Sequence, residues 1–374
     1  MKDQSCIRSQ YECVASAGTG KGCISSLAVK GSLLFATSHS ASIFIFEKVA
    51  DVFSRVAEIE CGAPVKAVVS VDSTGTRLFT GHHDGKIRVW THPCDGRRLK
   101  LATTLPTLKD CIRNLMKPGS FVQIRRHRKR LWMTHADAVS CLAFSCSEDA
   151  ELLYSGSWDK TVKVWRLSDF RCIESIPAHH DAVNAVACAR INGGLLFTGS
   201  ADGTVRMWIR RTTGRNTKHD HVATLVKSGS GAVNCLGMSG DESILYCGTS
   251  DGRIYYWNID YNPVEIMRSE GVLVSAQKSS VFCLATLKQF VCSGGADGTI
   301  RVWRREGGDV DLQHRCMAVI EGHRSPVKCI TAASPASSAP SITSLHYSNH
   351  HDSGLVIYSG NADGTLKIWW VNVN

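Results

Sequence analysis

One sequence pattern recurs six times along the chain and restricts its fold more than any other feature. Each copy runs from two or three apolar residues through a Gly and an Asp to alternating apolar residues that end in Trp. The Asp precedes the Trp by six residues in every copy. The copies are LFTGHHDGKIRVW (78–90), LYSGSWDKTVKVW (153–165), LFTGSADGTVRMW (196–208), LYCGTSDGRIYYW (245–257), VCSGGADGTIRVW (291–303) and IYSGNADGTLKIW (357–369).

Each copy predicts a strand, a tight turn and a second strand. Apolar residues alternate on both sides of the turn, as half-buried strands require, and Asp-Gly suits a turn with positive φ. Two further strand signals accompany most copies, such as AVNAVAC (182–188) before a copy and HVATLV (221–226) after it. The unit therefore has four strands. A seventh, altered copy, LLFATSHSASIFIF (33–46), has Ser40 in place of Asp and Phe46 in place of Trp.

The spacing of the copies gives the period of the repeat. Their last aromatic residues stand at positions 46, 90, 165, 208, 257, 303 and 369, which are 44, 75, 43, 49, 46 and 66 residues apart. The four short spacings, of 43 to 49 residues, give the length of one repeating unit. The two long spacings equal one period plus an insertion.

These motifs resemble the WD-repeat family over nearly the whole chain. His135, Gly322–His323 and His179 stand where that family has Gly-His. GSWDKTVKVWRLSDF, IRRHRKRLW and GTGKG are similar to the plant JINGUBANG-like subgroup. The resemblance implies an all-β fold, a seven-bladed β-propeller with four antiparallel strands per blade, formed by residues 1–374 as one domain. It also implies a plant regulatory protein of the cytoplasm, the nucleus or both.

The last repeat lacks a fourth strand, because the chain ends just after its third. An unassigned strand signal, IRSQYECVA (7–15), lies near the other end. We expect this N-terminal strand to complete the seventh blade and close the ring.

A His, a Ser or Thr and an Asp recur in several repeats, and these are the residue types of a nucleophilic triad. An active site needs one preorganised copy, so repetition argues against catalysis. The resemblance implies instead a structural hydrogen-bond network with the Trp. We therefore expect no catalytic residue and no enzyme. The sets are His135, Ser155, Asp159 and Trp165; His179, Thr198, Asp202 and Trp208; and His323, Ser359, Asp363 and Trp369.

Other motifs do not indicate a ligand. GTGKG (18–22) has Ala15 where a phosphate loop begins with Gly, and Gly22 where it has Ser or Thr. The His pairs lack metal-ligand spacing with Cys. We expect no cofactor and no metal.

Composition restricts the cellular compartment. The 16 cysteines are scattered, and many lie in apolar runs, so they predict buried thiols in a reducing compartment. Residues 1–20 lack an apolar core of signal-peptide length, and no apolar run approaches membrane-spanning length. We expect a monomeric propeller in the cytoplasm or nucleus with no membrane partner. A net charge of +10 favours acidic partners.

The first insertion, residues 107–134, predicts a short helix followed by a basic run. Thr107 and Asp110 resemble a capping box, and Leu108, Ile112, Leu115 and Met116 fall on one helical face. The basic run indicates a nuclear signal, a docking site for an acidic partner, or only a solvated charge run. Nucleic-acid binding is the weaker alternative, because phosphate contacts alone are unspecific. Its permanent cations are Arg125, Arg126, Arg128, Lys129 and Arg130.

The second insertion, residues 331–354, is rich in Ser, Ala and Pro and predicts a flexible surface loop. Partner contacts are expected from the resemblance to propellers, which bind through loops around a central channel. Trp158 is the strongest candidate, because other repeats have His, Ala or Ser there and Trp is common in interfaces. Packing of Trp158 on adjacent loops is the alternative. The candidates are His83, Trp158 and Ser250 before the turn Asp, and Lys66, Asn184, Asn234, Phe282 and Lys328 on inner strands.

The leading functional prediction is a non-catalytic scaffold that acts on a transcription factor or a signalling partner. A second class is the substrate receptor of a cullin-type ubiquitin ligase. Such receptors often carry an acidic residue after the blade Trp, whereas none of the six copies does. A third class is an enzyme that uses the central channel, and no single-copy catalytic constellation supports it.

Overall fold

The computed structural model describes residues 11–20, 22–49, 52–71, 77–91, 99–125, 128–146, 150–189, 194–213, 216–226, 231–259, 267–273, 277–307, 312–334 and 354–372. Its strands form seven four-stranded antiparallel sheets and one two-stranded sheet. Each four-stranded sheet contains one copy of the repeat, so we number them blades 1 to 7 in chain order. The chain divides into two compact units, one formed by residues 1–62 with 237–374 and the other by residues 63–236.

The first unit contains strand β1 (Tyr11–Gly18) and blades 1, 5, 6 and 7. The first four residues of β20 are assigned to the second unit. The blades consist of β2 (Ile24–Lys30), β3 (Leu33–Ser38), β4 (Ser42–Val49) and β5 (Val52–Glu60); β20 (Val233–Met238), β21 (Ile244–Thr249), β22 (Ile254–Ile259) and β23 (Met267–Leu273); β24 (Val281–Leu287), β25 (Phe290–Gly295), β26 (Ile300–Glu306) and β27 (Gln313–Ile320); and β28 (Val327–Ala333), β29 (Gly354–Asn361) and β30 (Thr365–Asn372).

Strand β1 is the fourth strand of blade 7. It pairs antiparallel with β30 from Tyr11 opposite Val371 to Gly18 opposite Thr365. The Tyr11 ring meets the edge of Trp369 at 6.2 Å, and the backbone N–H of Glu321 donates to the Tyr11 hydroxyl over 3.3 Å. The predicted completion of this blade by an N-terminal strand is confirmed from Tyr11 onward. Residues 7–10 of the predicted strand lie outside the described residues.

Two apolar clusters form the core of the first unit. One joins blades 6 and 7 and includes Ile300, Ile357 and Trp369. The other joins blades 7 and 1 and includes Ile24 and Phe46. Cys283 and Cys329 are buried in these clusters, as small apolar side chains would be.

The second unit contains blades 2, 3 and 4 and the first insertion. Its cores repeat the same arrangement, with Leu153 and Trp165 between blades 2 and 3 and Trp208 between blades 3 and 4. The strands are β6 (Val65–Val71), β7 (Arg77–His82), β8 (Ile87–Thr91) and β9 (Lys100–Leu105); β12 (Val139–Cys146), β13 (Glu151–Ser157), β14 (Thr161–Arg166) and β15 (Arg171–Pro177); and β16 (Val183–Ala189), β17 (Leu195–Ser200), β18 (Thr204–Thr213) and β19 (Asn216–Val226).

The turns inside the repeat have the backbone that Asp-Gly predicts. Gly85 and Gly203 have φ of 77° and 80°, and the corresponding glycines in blades 5 to 7 are also positive. Blade 3 has Lys160 at this position, with φ 74°. A residue with a Cβ is strained in this region, so Lys160 marks a departure from the repeat that the fold tolerates.

The first insertion contains a helix, α1 (Leu108–Leu115), and a hairpin, β10 (Phe121–Arg125) and β11 (Arg128–Leu131). Thr107 is the N-cap of α1, and its side chain accepts the N–H of Asp110 over 3.2 Å. The hairpin was not predicted, because RRHRKR has no alternation of apolar and polar residues. Within the described residues, no helix has the length and apolar character needed to cross a bilayer.

The second insertion is shorter than predicted. Thr331–Ala333 end β28, where Ala333 pairs with Val356, and Gly354 begins β29 opposite Asn372. The small residues at the start of this segment are typical of a loop, but their backbone continues the pairing of β28 with β29. Residues 335–353 of the expected loop lie outside the described residues.

Candidate functional site

A chain of hydrogen bonds connects four side chains of blade 3. The indole N–H of Trp165 donates to Ser155 Oγ over 2.9 Å, and Ser155 Oγ lies 2.8 Å from His135 Nε2. On the other side of the imidazole, Nδ1 lies 3.0 Å from Asp159 Oδ2. The network therefore ties the segment before β12 to the turn that follows β13.

Burial fixes the protonation states in this network. Burial lowers the pKa of His135, so the ring is neutral at neutral pH and donates Nδ1–H to Asp159. Burial would raise the pKa of Asp159, but hydrogen bonds from His135, Thr161 and the Ala136 N–H outweigh it and hold that pKa well below its ordinary value. Every donor in this series of four side chains then has an acceptor.

Blade 4 repeats this geometry. Trp208 donates to Thr198 Oγ1 over 3.0 Å, Thr198 lies 2.8 Å from His179 Nε2, and His179 Nδ1 lies 3.2 Å from Asp202 Oδ2. Burial lowers the pKa of His179. The same four residue types therefore serve two adjacent blades.

Blade 7 has only part of the network. Trp369 donates to Ser359 Oγ over 2.8 Å, and Ser359 lies 2.7 Å from His323 Nε2. His323 Nδ1 is buried with no hydrogen-bond partner among the described residues, so the structure does not bring Asp363 to it. In blades 3 and 4 the backbone N–H after the His also holds the carboxylate. Asp363 keeps the bonds from the N–H and the hydroxyl of Thr365, which correspond to those that Asp159 receives from Thr161.

Two further blades form related networks that sequence reasoning missed. In blade 2, His82 lies on the strand itself, 2.7 Å from Thr80 Oγ1, which accepts the N–H of Trp90 over 2.8 Å. The signal was His at the position after Gly, where blades 3 and 4 have Ser. In blade 6, Gln277 replaces His, and its amide donates to Ser293 Oγ over 3.2 Å.

These networks are sealed from solvent. Ser155 and Thr198 are fully buried, and each hydroxyl lies between an indole N–H and an imidazole. A substrate has no access to these hydroxyls. The arrangement stabilises each blade and positions its turn.

The residue before the turn Asp makes the same backbone hydrogen bond in several blades. Its N–H donates to a carbonyl before the first strand of the blade, from Trp158 to Ala138 and from Ala201 to Ala182. The same bond is present in the first unit, from Ala296 to Ser280. Since the fold uses only the backbone here, it does not require a Trp at position 158.

Trp158 forms a small surface cluster in the second unit. Its side chain is 36% exposed. The Lys66 ammonium lies 4.7 Å from the indole centroid, and the His83 ring meets the indole edge-on at 5.9 Å. We call these three residues the Trp158 surface. The Trp158 side chain therefore packs against neighbouring residues and is also partly exposed to solvent.

A cleft of about 510 Å³ lies between the insertion and blade 3. Trp158 and Lys160 line it from the blade, and Gln123, Arg130 and Trp132 line it from the insertion. We call it the insertion cleft. Aromatic and cationic side chains share its walls, which favours ligands that carry negative charge.

Hydrogen bonds attach the insertion to blade 3 along this cleft. Arg130 donates to the His135 carbonyl over 3.0 Å. The Lys163 ammonium is almost fully buried and donates to the Trp132 carbonyl over 2.5 Å and to Ser175 Oγ over 2.8 Å. Burial lowers the pKa of Lys163. Lys163 is thus a structural anchor, which sequence reasoning missed.

The remaining predicted contact residues lie apart from this cleft. In the first unit, the Lys328 ammonium lies 3.6 Å from the Phe282 ring centroid, and the Ser250 carbonyl accepts from Ser280. In the second unit, Asn184 donates to the Val233 carbonyl over 2.9 Å. Asn234 is half-buried. Asn184 therefore has a structural bond in addition to its predicted role.

The basic run lies in the hairpin of the insertion. Arg125 pairs with Arg128 in the backbone register, and Lys129 pairs with Gln123. Lys129 is exposed. Arg126 lies outside the described residues.

The family follows from comparison with known proteins. A family model described as "WD domain, G-beta repeat" matches residues 56–91, 127–166, 170–208, 220–258, 269–304 and 314–369. These ranges cover more than half of the chain. The chain belongs to the WD-repeat family. Its fold class, predicted from the repeat and confirmed by the seven four-stranded sheets, is the all-β, seven-bladed β-propeller.

Individual relatives share part of this WD-repeat chain. It is 32% identical over 179 residues to the small ribosomal subunit protein RACK1y of Oryza sativa subsp. japonica, covering 46% of the chain and 49% of that protein. It is 25% identical over 285 residues to autophagy-related protein 16 of Arabidopsis thaliana, covering 72% of the chain and 51% of that protein. The chain spans about half the length of these curated relatives.

Proposed function

We propose that this WD-repeat chain is a non-catalytic interaction scaffold that binds an acidic protein partner at the insertion cleft and the Trp158 surface. The observation that carries the proposal is the half-exposed Trp158, at a position where the fold needs only a backbone N–H. A rigid aromatic side chain beside a concave, cationic wall is a common binding hot spot.

The charges of the described residues support an acidic partner. Lys66 and Lys160 lie beside or within the cleft, with Arg130 on the facing wall. Two acidic residues, Asp137 and Asp159, also line the cleft. Asp137 accepts the Ala138 N–H, and the Asp159 carboxylate is engaged by His135 and by the Ala136 N–H. Acidic side chains of a partner would therefore be attracted to this wall.

The finer part of the proposal is a regulatory protein that acts on a transcription factor or a signalling partner in the cytoplasm, the nucleus or both. The predicted basic run supports nuclear entry, since importin-type signals are short clusters of Lys and Arg. A fluorescent fusion with Arg125, Arg126, Arg128, Lys129 and Arg130 changed to Gln would be excluded from the nucleus. If the variant fusion had the same nuclear distribution as the wild type, only the proposal of nuclear entry would be contradicted.

Affinity purification from native tissue tests the scaffold proposal. The Trp158→Ala variant is expected to lose specific proteins that the wild type recovers, while its thermal transition stays unchanged because the indole is partly exposed. Ala296→Ser, at the equivalent turn position of blade 6, is the matched control and keeps them. Recovery of the same proteins by wild type and Trp158→Ala would show that the contact surface lies elsewhere.

A further inference from the structure

Helix α1 presents its apolar face to solvent and its polar face to the protein. Leu108 is 77% and Met116 85% exposed, and Ile112 and Leu115 are more than half exposed. Their spacing of four, seven and eight residues from Leu108 places them on one side of the helix. An amphipathic helix of a globular protein normally turns this side inward.

The polar side of α1 holds the helix in this orientation. Asp110 is 8% exposed and accepts the Thr107 hydroxyl over 2.8 Å. It also lies 3.6 Å from the Arg171 guanidinium of β15. Asn114 donates to the buried Met133 sulfur over 3.9 Å. The inverted orientation is therefore fixed by specific contacts, and four aliphatic side chains are left without cover.

The insertion also holds most of the excess charge of the chain. Residues 107–134 contain eight Lys and Arg residues and one acidic residue, a net charge of +7 against +10 for the whole chain. The single acid is Asp110, which is already paired. Lys109 and Lys117 are exposed at the two ends of the apolar face, and Lys129 is exposed on the hairpin.

We propose that the apolar face of α1 docks on an anionic phospholipid bilayer, with the exposed Lys109, Lys117 and Lys129 at the headgroups. The four apolar side chains are each more than half exposed and none of them lines the insertion cleft, so they project from the surface as a ridge. A bilayer accepts such a ridge without a complementary shape. Aliphatic insertion combined with a basic cluster is the pairing that holds interfacial helices on anionic membranes.

This proposal goes beyond the scaffold function and revises one sequence-based expectation. We expected no membrane partner because no apolar run has membrane-spanning length. Surface docking requires no such run, since the helix lies in the plane of the interface. What the sequence did not reveal is the outward direction of the apolar face.

Vesicle sedimentation with the purified full chain tests the proposal directly. The wild type is expected to bind phosphatidylcholine vesicles containing phosphatidylserine at least about tenfold more strongly than pure phosphatidylcholine vesicles. Raising the ionic strength weakens this binding because it screens the basic cluster.

An apolar variant separates helix insertion from charge attraction. Leu108→Gln, Ile112→Gln and Met116→Gln together are expected to reduce vesicle binding at least about tenfold. Gln is a good helix former and the sites are exposed, so the thermal transition is unchanged. The matched control combines Val14→Thr, Val56→Thr and Val222→Thr, which are exposed apolar residues outside the insertion, and it binds like the wild type.

A charge variant separates the local cluster from the net charge. Lys109→Gln, Lys117→Gln and Lys129→Gln are expected to weaken binding about fivefold per removed charge. Lys100→Gln, Lys218→Gln and Lys278→Gln remove the same charge at exposed sites elsewhere and have a smaller effect.

Three results would overturn the proposal. One is a wild type that binds neither vesicle, and another is an apolar variant that binds as well as the wild type. The third is a full chain that binds no vesicles but binds poly-L-glutamate through α1. This result would assign the apolar face to an acidic protein partner. No protein partner is present in these assays, so the scaffold proposal is unaffected by their outcome.

Discussion

His135 Nδ1 lies 3.0 Å from Asp159 Oδ2, and this contact joins the end of the first insertion to the turn of blade 3. The imidazole is fully buried, and its side chain is the central member of the bond chain that begins at Trp165. Because burial lowers the pKa of His135, the contact is a hydrogen bond from a neutral ring rather than an ion pair at neutral pH.

His135→Ala is expected to lower the free energy of unfolding by about 2 kcal/mol, because it leaves the buried Ser155 hydroxyl without its acceptor and removes one of the donors to Asp159. His135→Gln is expected to cost less, since Gln277, at the corresponding place in blade 6, donates to Ser293 and accepts from Thr299. Urea denaturation of the three proteins at neutral pH measures the difference. A Gln variant as unstable as the Ala variant would contradict this.

The same pair predicts a pH dependence. His135 has its pKa lowered from 6.5 in the folded chain, so the unfolded chain takes up the proton first and stability falls as the pH drops below 6.5. Asp159 has its pKa lowered from 3.8, so its stabilising effect is present above that value and is lost as the pH falls further. The His135→Gln variant is expected to lose less stability than the wild type between pH 6.5 and 4. If the wild type and the His135→Gln variant lost the same stability over this pH range, His135 would not take up a proton on unfolding.

The repeat itself was predictable from sequence because its signals are local. Alternation and the Asp-Gly turn depend on neighbouring residues, and they led directly to seven four-stranded sheets. The networks around Trp165 and Trp208 were expected from the resemblance to the WD-repeat family, because the family motif has the same residue types at these positions.

The remaining features depend on contacts between distant residues. The apolar face of α1 points outward because Asp110, on the opposite side of the helix, contacts Arg171. Arg171 lies 61 positions further along the chain, so the helical periodicity does not reveal this contact. The role of Lys163 likewise depends on the Trp132 carbonyl. Alternation also cannot reveal a hairpin whose second strand is almost entirely cationic, as in β11.

Lys160→Gly is expected to stabilise the chain by about 0.5–1 kcal/mol. Lys160 has φ 74°, whereas the equivalent positions of blades 2 and 4 have Gly. The change relieves backbone strain and removes a bond from an exposed ammonium to the His180 carbonyl, which contributes little. Thermal denaturation measures the shift, and Gly203→Lys, the reverse exchange in blade 4, should destabilise. A lower melting temperature for Lys160→Gly would refute the strain argument.

Deleting residues 1–18 is expected to cause aggregation or a large loss of stability. The deletion removes β1, leaves β30 as an unpaired edge and uncovers Trp369. Size-exclusion chromatography and thermal melting give the readout. Adding a peptide of residues 11–18 in excess should restore part of the loss, whereas a shuffled peptide should not. An unchanged melting temperature without the peptide would mean that blade 7 does not need β1.

The organisation of residues 1–374 as one domain stays a prediction. It implies a single cooperative unfolding transition, in which the calorimetric and van't Hoff enthalpies agree. Differential scanning calorimetry of the full chain measures both. Two separate transitions would indicate that the two compact units unfold independently.

Lys163→Met is expected to loosen the insertion while the blades stay folded. The variant keeps the length and apolar stem of the side chain, but leaves the Trp132 carbonyl and Ser175 without the ammonium that now binds both. The loss of a buried charged donor costs about 1–3 kcal/mol. We expect faster trypsin cleavage in the basic run and faster hydrogen exchange in β10 and β11.

The position of the effect distinguishes this anchor from a general core residue. Hydrogen exchange in β16 and β17 of blade 4 should stay as in the wild type, because the contacts of Lys163 lie in blade 3 and the insertion. Ser175→Ala removes only one of the two acceptors and should loosen the hairpin less. If Lys163→Met instead raised exchange across all described strands of the second unit, Lys163 would support the blade core rather than fasten the insertion to it.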